Sequence, residues 1–447
     1  PLYTSREMEH QFKDSGAKIL LICANFAKQL EPILSKTSLQ TVIVTEIGDA
    51  LPAPKRWLVN SVIKYVKKMV PQYHLPKAVS YLSVMQLGKQ LPFKNTELSP
   101  EKLAFIQYTG GTTGVSKGAM LTHRNLIANM EQIAAWLRPT LKEGQDVCLT
   151  PLPLYHVFSL SANAMALFKY GTHNVLITNP RDLKAVISDM RRYKLTLMTG
   201  VNTLFNALMN HPDFEKVDFS SMKYAVGGAM ALQKNVTERW NKLTGSILIE
   251  GYGLTEASPV VCVNSLTAEE VRIGSVGLPL PSTEIKLINE EGKEAPTGES
   301  GEIWVRGPQV MQGYWQQPEE TKKVLPGEGW LRTGDIGQFS SDGFLKIVDR
   351  QKDMIIVSGF KVFPNEVEEV LASHPKVLEV GVVGIADEHS GEVVKAFVVR
   401  KDTSLTEAQL REYAKQYLTA YKVPKHIEFR DALPKTNVGK ILRRELR

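Results

Sequence analysis

Short runs of β-branched and apolar residues alternate with amphipathic stretches along most of the first 350 positions. The runs Ala17–Ile22, Thr41–Thr45, Val147–Thr150, Asn174–Ile177, Thr196–Thr199, Lys223–Val226 and Ile247–Glu250 read as strands. Helical spacing marks Phe26–Ser35, Asn125–Leu137, Leu160–Lys169, Arg181–Tyr193, Thr203–Asn210 and Leu232–Leu243. Alternation of this kind predicts α/β layers with mostly parallel sheets. From about Thr283 the pattern changes, and Thr283–Ile288, Glu302–Val305 and Phe344–Val348 come with turn signals such as Pro296-Thr297-Gly298. A compact pattern follows Asp349-Arg350: helix Pro364–Ala372, strands Leu378–Val383 and Val393–Val399, helix Thr406–Tyr417. The expected organisation is a large multi-layer N-terminal domain, residues 1–348, with a β-rich subdomain over about 275–348. A small α+β C-terminal domain, residues 349–447, follows it.

Composition narrows the class. The 447 residues are 43% apolar and 23% charged, which excludes a disordered chain, a collagen-like fibre and a coiled coil. Cys23, Cys148 and Cys262 lie far apart, so a disulfide scaffold or cysteine-rich zinc site is not expected and a reducing, cytoplasmic compartment is. No apolar run reaches 18 residues and no signal peptide is visible. The chain opens at Pro1 without a Met, so a leading segment is expected to be missing.

The net charge of +7 suits nucleic acid, anionic lipid or phosphate-bearing small molecules. Between Ala50 and Thr96 there are eight basic residues and no acidic one. There Leu58, Val59, Val62, Ile63, Val66, Met69 and Val70 share one side of a helical wheel, opposite Lys64, Lys67 and Lys68. This amphipathic helix, Trp57–Tyr73, suits an anionic membrane surface, such as the inner face of a membrane, or packing on its own domain. The second is preferred. No RNA-recognition signature accompanies the charge, and no nucleic-acid partner is expected.

Candidate chemistry begins at Tyr108-Thr109-Gly110-Gly111-Thr112-Thr113-Gly114-Val115-Ser116-Lys117-Gly118. Glycines let backbone N–H groups approach an anion, the hydroxyls donate, and Lys117 adds charge. A flexible Gly/Thr hairpin has the same composition, but the order of hydroxyls, glycines and lysine favours phosphate. It is not a Walker A loop. Glu250-Gly251-Tyr252-Gly253-Leu254-Thr255-Glu256 follows a predicted strand, where open α/β sheets bind ligands. Tyr252 can stack on a purine and Glu256 is a hard ligand for Mg²⁺, but taken alone the segment reads rather as a plain strand-to-loop turn with a solvated Glu. Gly227-Gly228-Ala229 offers a second close approach at the same sheet edge. Asp335, in Trp330–Asp335, suits ribose hydroxyls or else an ordinary β-turn. Asp349-Arg350 suits a hinge or else a surface ion pair. Lys440 lies in a basic C-terminus that reads as a polyphosphate-reaching loop or as a solvated tail. His156, among aromatics, lines a pocket, gates it, or packs structurally; no Ser-His-Asp set or HExxH spacing is present.

In this order the motifs resemble the adenylate-forming superfamily of acyl-CoA synthetases, luciferases and peptide-synthetase adenylation domains. Gly200-Val201-Asn202-Thr203-Leu204-Phe205 and the ending Asn437–Arg447 are similar to bacterial long-chain fatty-acid–CoA ligases. The resemblance implies ATP-dependent formation of an acyl-adenylate from a long-chain fatty acid, then thioester formation with coenzyme A. It implies that Lys440 is catalytic, with Thr255 at the α-phosphate, and that Thr109 and Glu256 hold Mg²⁺. Thr109, Gly110, Gly111, Thr112, Thr113, Gly114 and Lys117 would cradle the outer phosphates. Gly227, Gly228, Glu250, Gly251, Tyr252 and Gly253 would surround adenine, and Asp335 and Arg350 the ribose, with Lys352 adding charge. Where some relatives carry a second hinge-loop lysine, this chain has Ile356. Substrate would meet His156, Gly200, Val201 and Asn202. The C-terminal domain is implied to be mobile, turning about Asp349 to bring Ser358-Gly359 toward coenzyme A. Another carboxylic acid, aryl or amino, is the alternative substrate. Pro153–Ser161 lacks the carboxylate that an amino acid's ammonium needs. Acyl chain length and oligomeric state have no sequence signature.

Overall fold

The computed structural model describes residues 3–109, 116–436 and 438–447. The chain forms two compact units. The first comprises Pro1–Lys102, Tyr108–Gly118 and Tyr314–Gln316; the second comprises Leu103–Gln107, Ala119–Gly313 and Gln317–Arg447.

In the first unit, helix Ser5–Ser15 starts at a reciprocal cap between Thr4 and Glu7. Strands β1 (Ile19–Cys23), β2 (Thr41–Thr45) and β3 (Val79–Ser80) pair in parallel in that order. Met8, Ala27, Leu30, Ile33, Val42 and Leu75 close a small core. The single helix expected over Phe26–Ser35 is instead three short turns, because Pro32 lacks the N–H that a continuous helix needs. The basic helix runs Lys55–Ser61, continues as a π turn over Val62–Val66, and stops short of Tyr73. Its apolar side is not packed away: Leu58 is 67% exposed, Val66 73% and Met69 52%, while Val59, Val62, Ile63 and Val70 are half-buried. The preferred packing on its own domain is therefore met only in part. Strands β4 (Leu103–Thr109) and β5 (Lys117–Thr122) pair with each other, and of them only Tyr108–Thr109 and Lys117–Gly118 belong to this unit.

In the second unit, β6 (Val147–Thr150), β7 (His173–Leu176), β8 (Leu197–Gly200), β9 (Tyr224–Gly227) and β10 (Ile247–Gly253) form a parallel sheet in the order 7-6-8-9-10. Strands β11 (Val260–Val263) and β12 (Leu278–Pro279) extend it antiparallel. Helices cover the sheet, which is why β6, β8, β9 and β10 read as apolar runs rather than alternating ones. Phe205, Phe214 and Trp240 pack as an aromatic cluster beneath it, the Phe205 and Trp240 rings 5.0 Å apart. The helix expected over Leu160–Lys169 is one α turn, Val157–Ser159, followed by a π-helix over Leu160–Leu167. Its buried Asn163 amide donates to Thr150 Oγ1 (3.2 Å) and accepts from Ser159 and Thr199, contacts that no periodicity shows.

Strands β13 (Glu284–Ile288), β14 (Ser300–Arg306), β15 (Trp330–Phe339) and β16 (Leu345–Arg350) form an antiparallel sheet in chain order. Strand β15 replaces the turn expected around Gly334-Asp335. Beyond β16, β17 (Ile355–Val357) and β18 (Phe360–Val362) form a hairpin, followed by helix Pro364–Ala372, β19 (Val377–Asp387), β20 (Gly391–Arg400), helix Glu407–Lys415 and β21 (His426–Phe429). Val367, Leu371, Val380, Val382, Val394, Ala396 and Leu410 give this layer its own core.

Two glycines test how tightly these sheets meet. Gly277 has φ +91°, and a Cβ there would stand 2.1 Å from the Val263 carbonyl oxygen. Gly298 has φ +90° with open space around the same atom. In urea melts, Gly298→Ala is expected to cost about 1 kcal/mol from backbone strain alone, and Gly277→Ala at least ~3 kcal/mol. Equal losses would remove the steric argument.

Candidate active site

The strand ends of the parallel sheet are level with one another. Gly200 of β8 faces Gly227 of β9, which faces Glu250 of β10. His156 follows β6 and Gly200 ends β8, and between these strands the connection order reverses, the place where open α/β sheets hold ligands. Close packing demands glycine here. A Cβ on Gly227 would lie 2.6 Å from Leu232, and one on Gly228 would lie 3.1 Å from the Phe158 ring and 3.4 Å from the Gly251 carbonyl. The Glu250 carboxyl accepts from the Leu232 amide at 3.1 Å and so fastens the loop after β9. Burial raises this carboxyl to about 8, which leaves it mostly protonated at neutral pH. Asn202 accepts from the Gln233 amide at 3.0 Å and ties the loop after β8 to the same place.

Asp335 is 4% exposed and each of its oxygens has a partner. The Tyr252 hydroxyl donates to Oδ2 at 2.7 Å, and Arg350 Nε lies 3.1 Å from Oδ1. The β15–β16 register sets the second contact by placing Arg350 opposite Asp335. Arg350 thus pairs across the sheet, not with its neighbour Asp349, and the surface-pair alternative falls away. Asp335 raises the Arg350 guanidinium further. Thr255 and Glu256 form a half-buried turn just after β10, and Glu256 lies close enough to Arg350 to act on it electrostatically.

Lys440 completes the cluster. Gly439, at φ +87°, presents its carbonyl to the Thr203 hydroxyl at 3.0 Å, and the Lys440 amide donates to Thr436 Oγ1 at 3.1 Å. Loss of hydration lowers the half-buried Lys440 ammonium to about 7; Arg350, Arg443 and Lys352 push the same way and Asp335 opposes them. Lys352 is lowered to about 8, again by lost hydration and then by Arg350. His156 is lowered to about 4 by burial and by Lys440. Its Nδ1 accepts from the Phe158 amide at 3.3 Å, so the neutral ring carries its proton on Nε2.

The chain matches the AMP-binding enzyme family over residues 1–315 and the AMP-binding enzyme C-terminal domain over residues 366–440. It belongs to the AMP-binding enzyme family. The long-chain-fatty-acid–CoA ligase of Escherichia coli O6:H1 is 54% identical over 447 residues, which are all of this chain and 79% of that protein. Among solved structures, the anthranilate CoA ligase AuaEII in complex with anthranoyl-AMP superposes with a TM-score of 0.86 at 27% identity, covering all of this chain and 80% of that one. ATP-bound MatB from Rhodopseudomonas palustris gives 0.84 at 29% identity, covering all of this chain and 82% of that one; apo MatB gives 0.72.

For this AMP-binding enzyme the structure brings together His156, Tyr252, Glu256, Asp335, Arg350, Lys352 and Lys440. Gly359 stands apart from them, at φ +84° on the exposed tip of the β17–β18 hairpin. Thr109 and Lys117 belong to the first unit, where Tyr108 donates to Asp14 and His10 Nε2 lies 3.1 Å from the Ser116 carbonyl. Gly110, Gly111, Thr112, Thr113 and Gly114 lie outside the described residues.

Sequence reasoning missed Arg443. Its guanidinium takes Glu368 bidentately at 3.1 and 2.9 Å, Asn365 at 2.6 Å, Asp349 at 3.2 Å and Asp353 at 3.4 Å. Asp349, 1% exposed, also accepts from the Arg350 and Asn365 amides, both at 2.7 Å. The C-terminus is therefore anchored, not a solvated tail. Nothing in the sequence separated Arg443 from a solvated arginine of a basic tail.

The cluster makes a testable statement. Removing a neighbouring cation favours a protonated lysine, so NMR titration of the Lys440 side chain is expected to show a midpoint near 7 that rises in Arg350→Ala and falls in Asp335→Asn. A midpoint at the ordinary lysine value would contradict the clustering.

Proposed function

We propose that this enzyme activates a long-chain fatty acid with ATP and transfers the acyl group to coenzyme A. A carboxylate oxygen attacks the α-phosphorus as the bond to pyrophosphate breaks, which leaves the acyl-adenylate. The thiol sulfur of coenzyme A then attacks the acyl carbon, losing its proton, and AMP departs. The first step brings an anion against a polyanion, so fixed positive charge is its main need. The gathering of Lys440, Arg350 and Lys352 around one half-buried place carries the reading.

In this reading Lys440 neutralises the carboxylate and α-phosphate, with Thr255 donating beside it. Asp335 and Arg350 hold the ribose. The glycine loops after β9 and β10, with Tyr252, leave a slot for adenine. His156 Nε2–H, with Gly200, Val201 and Asn202, borders the acyl group. Thr109–Lys117 receives the outer phosphates, and Gly359 guides coenzyme A once the C-terminal domain, residues 349–447, has turned about Asp349. Among the described residues no group of three His, Cys, Asp or Glu could hold a metal by itself. One carboxylate, Glu256, fits Mg²⁺, which is held largely by water and substrate phosphates. When bound, it would offset charge on the departing pyrophosphate.

Lys440→Ala is expected to slow fatty-acid-dependent ATP–pyrophosphate exchange about a hundredfold or more, while thioester formation from supplied acyl-adenylate persists. Unchanged exchange would remove the lysine from its role. Because Lys440 binds anions only when protonated, kcat/KM for ATP should fall as pH rises through about 7. Under saturating ATP, whose charge favours the protonated form, the fall in kcat should move to higher pH.

No described helix is long and apolar enough to cross a membrane. The exposed Leu58, Val66 and Met69 beside Lys64, Lys67 and Lys68 support peripheral binding to an anionic surface. Sedimentation with anionic vesicles should exceed that with neutral ones, and Val66→Asp should reduce it. Equal sedimentation with both would count against the membrane.

A further inference from the structure

Three hydrogen bonds join the strand-end helices of the parallel sheet to the layer that carries Lys440. Thr203 Oγ1 donates to the Gly439 carbonyl at 3.0 Å, Asn206 Nδ2 to the Leu378 carbonyl at 2.8 Å, and Asn235 Nδ2 to the Ala372 carbonyl at 2.8 Å. The donors sit on the two helices, Asn202–Met209 and Lys234–Thr244, that follow β8 and β9. The acceptors are carbonyls that regular pairing leaves open. Ala372 ends its helix, where carbonyls run out of intrahelical partners, and Leu378 sits at the irregularity in the β19–β20 ladder. Gly439 is in the left-handed region, in the loop itself.

One such bond beside Lys440 would leave the layer free to swing about it. Three attachment points on separate segments fix both position and orientation. We propose that Asn206 and Asn235 are positioning residues which, with Thr203, clasp the C-terminal layer so that Lys440 stands in the site for the acid-activating half of the reaction and not for the thioester-forming half. The proposal rests on the reading of Lys440 given above.

The Asn206 and Asn235 amides can be replaced by Asp, which keeps shape but turns a carboxylate oxygen toward a carbonyl. In the first helical turn, Asp at 235 also favours the helix, so a loss there is not a loss of folding. In the full chain, ATP–pyrophosphate exchange and thioester formation from synthetic acyl-adenylate are measured separately, with thermal melts alongside. Exchange is expected to fall about fivefold in Asn235→Asp and about twentyfold in the double variant with Asn206→Asp, since each bond is worth roughly that much and the sites are separate. Thioester formation should hold or rise, and Asn235→Gln, which keeps the donor, should recover exchange. Parallel loss of both half-reactions, or unchanged exchange in the double variant while Lys440→Ala still abolishes it, would overturn the clasp. Exchange that ignores Lys440→Ala would instead overturn the reading beneath it.

Discussion

Positive charge held at close quarters and short of water organises this molecule. Lys440, Arg350 and Lys352 gather with Asp335, Glu256 and Asp353 as the opposing anions, and the lysines, lowered first by lost hydration and then by Arg350, give up proton affinity. Such an arrangement is unfavourable by itself and must be imposed by backbone: the β15–β16 register for Arg350, the Gly439 loop for Lys440. A polyanion would relieve it. Two other buried titratable groups beside the cluster add no charge to it. Burial keeps His156 neutral and Glu250 mostly protonated, so neither contributes a cation to the repulsion or an anion to meet incoming phosphates.

Arg443 shows the opposite solution a few residues away. Its guanidinium meets Glu368, Asp349 and Asp353, more acid than one charge requires. Burial raises the Asp349 and Glu368 carboxyls even so, which marks the cost of placing them there. The return is geometric. Asp349, where β16 ends, is gripped by its own following amide, by the helix that begins at Pro364, and by the chain terminus. A dehydrated group serves binding; an overcompensated one serves shape.

The buried parallel strands were legible because apolar runs bounded by glycine have few other uses, and the strand-end glycines were legible for the same reason. Strand β15 was not, since Gly334-Asp335 reads locally as a turn and only pairing with β14 and β16 straightens it. The single helix expected around Phe26 ignored Pro32, and the π-helix over Leu160–Leu167 answers to a buried polar network that spacing cannot reveal. Lys440 stood out through its flanking glycine and the ending's resemblance. Arg443 did not, because an arginine in a basic tail looks alike whether solvated or buried. Asn206 and Asn235 left no trace at all: their acceptors are main-chain atoms, and the helical pattern around them is complete without them.

That last point bears on how such a protein can change over time. Contacts made from side chain to main chain are blind to the identity of the residue that supplies the carbonyl. These bonds place no demand on the side chains of Ala372 and Leu378, which answer only to their own packing in the C-terminal layer. An inserted or deleted residue between 372 and 378 would be different, because it would move one carbonyl relative to the other. The boundary between the layers should thus depend on the spacing of these carbonyls and tolerate changes of length poorly.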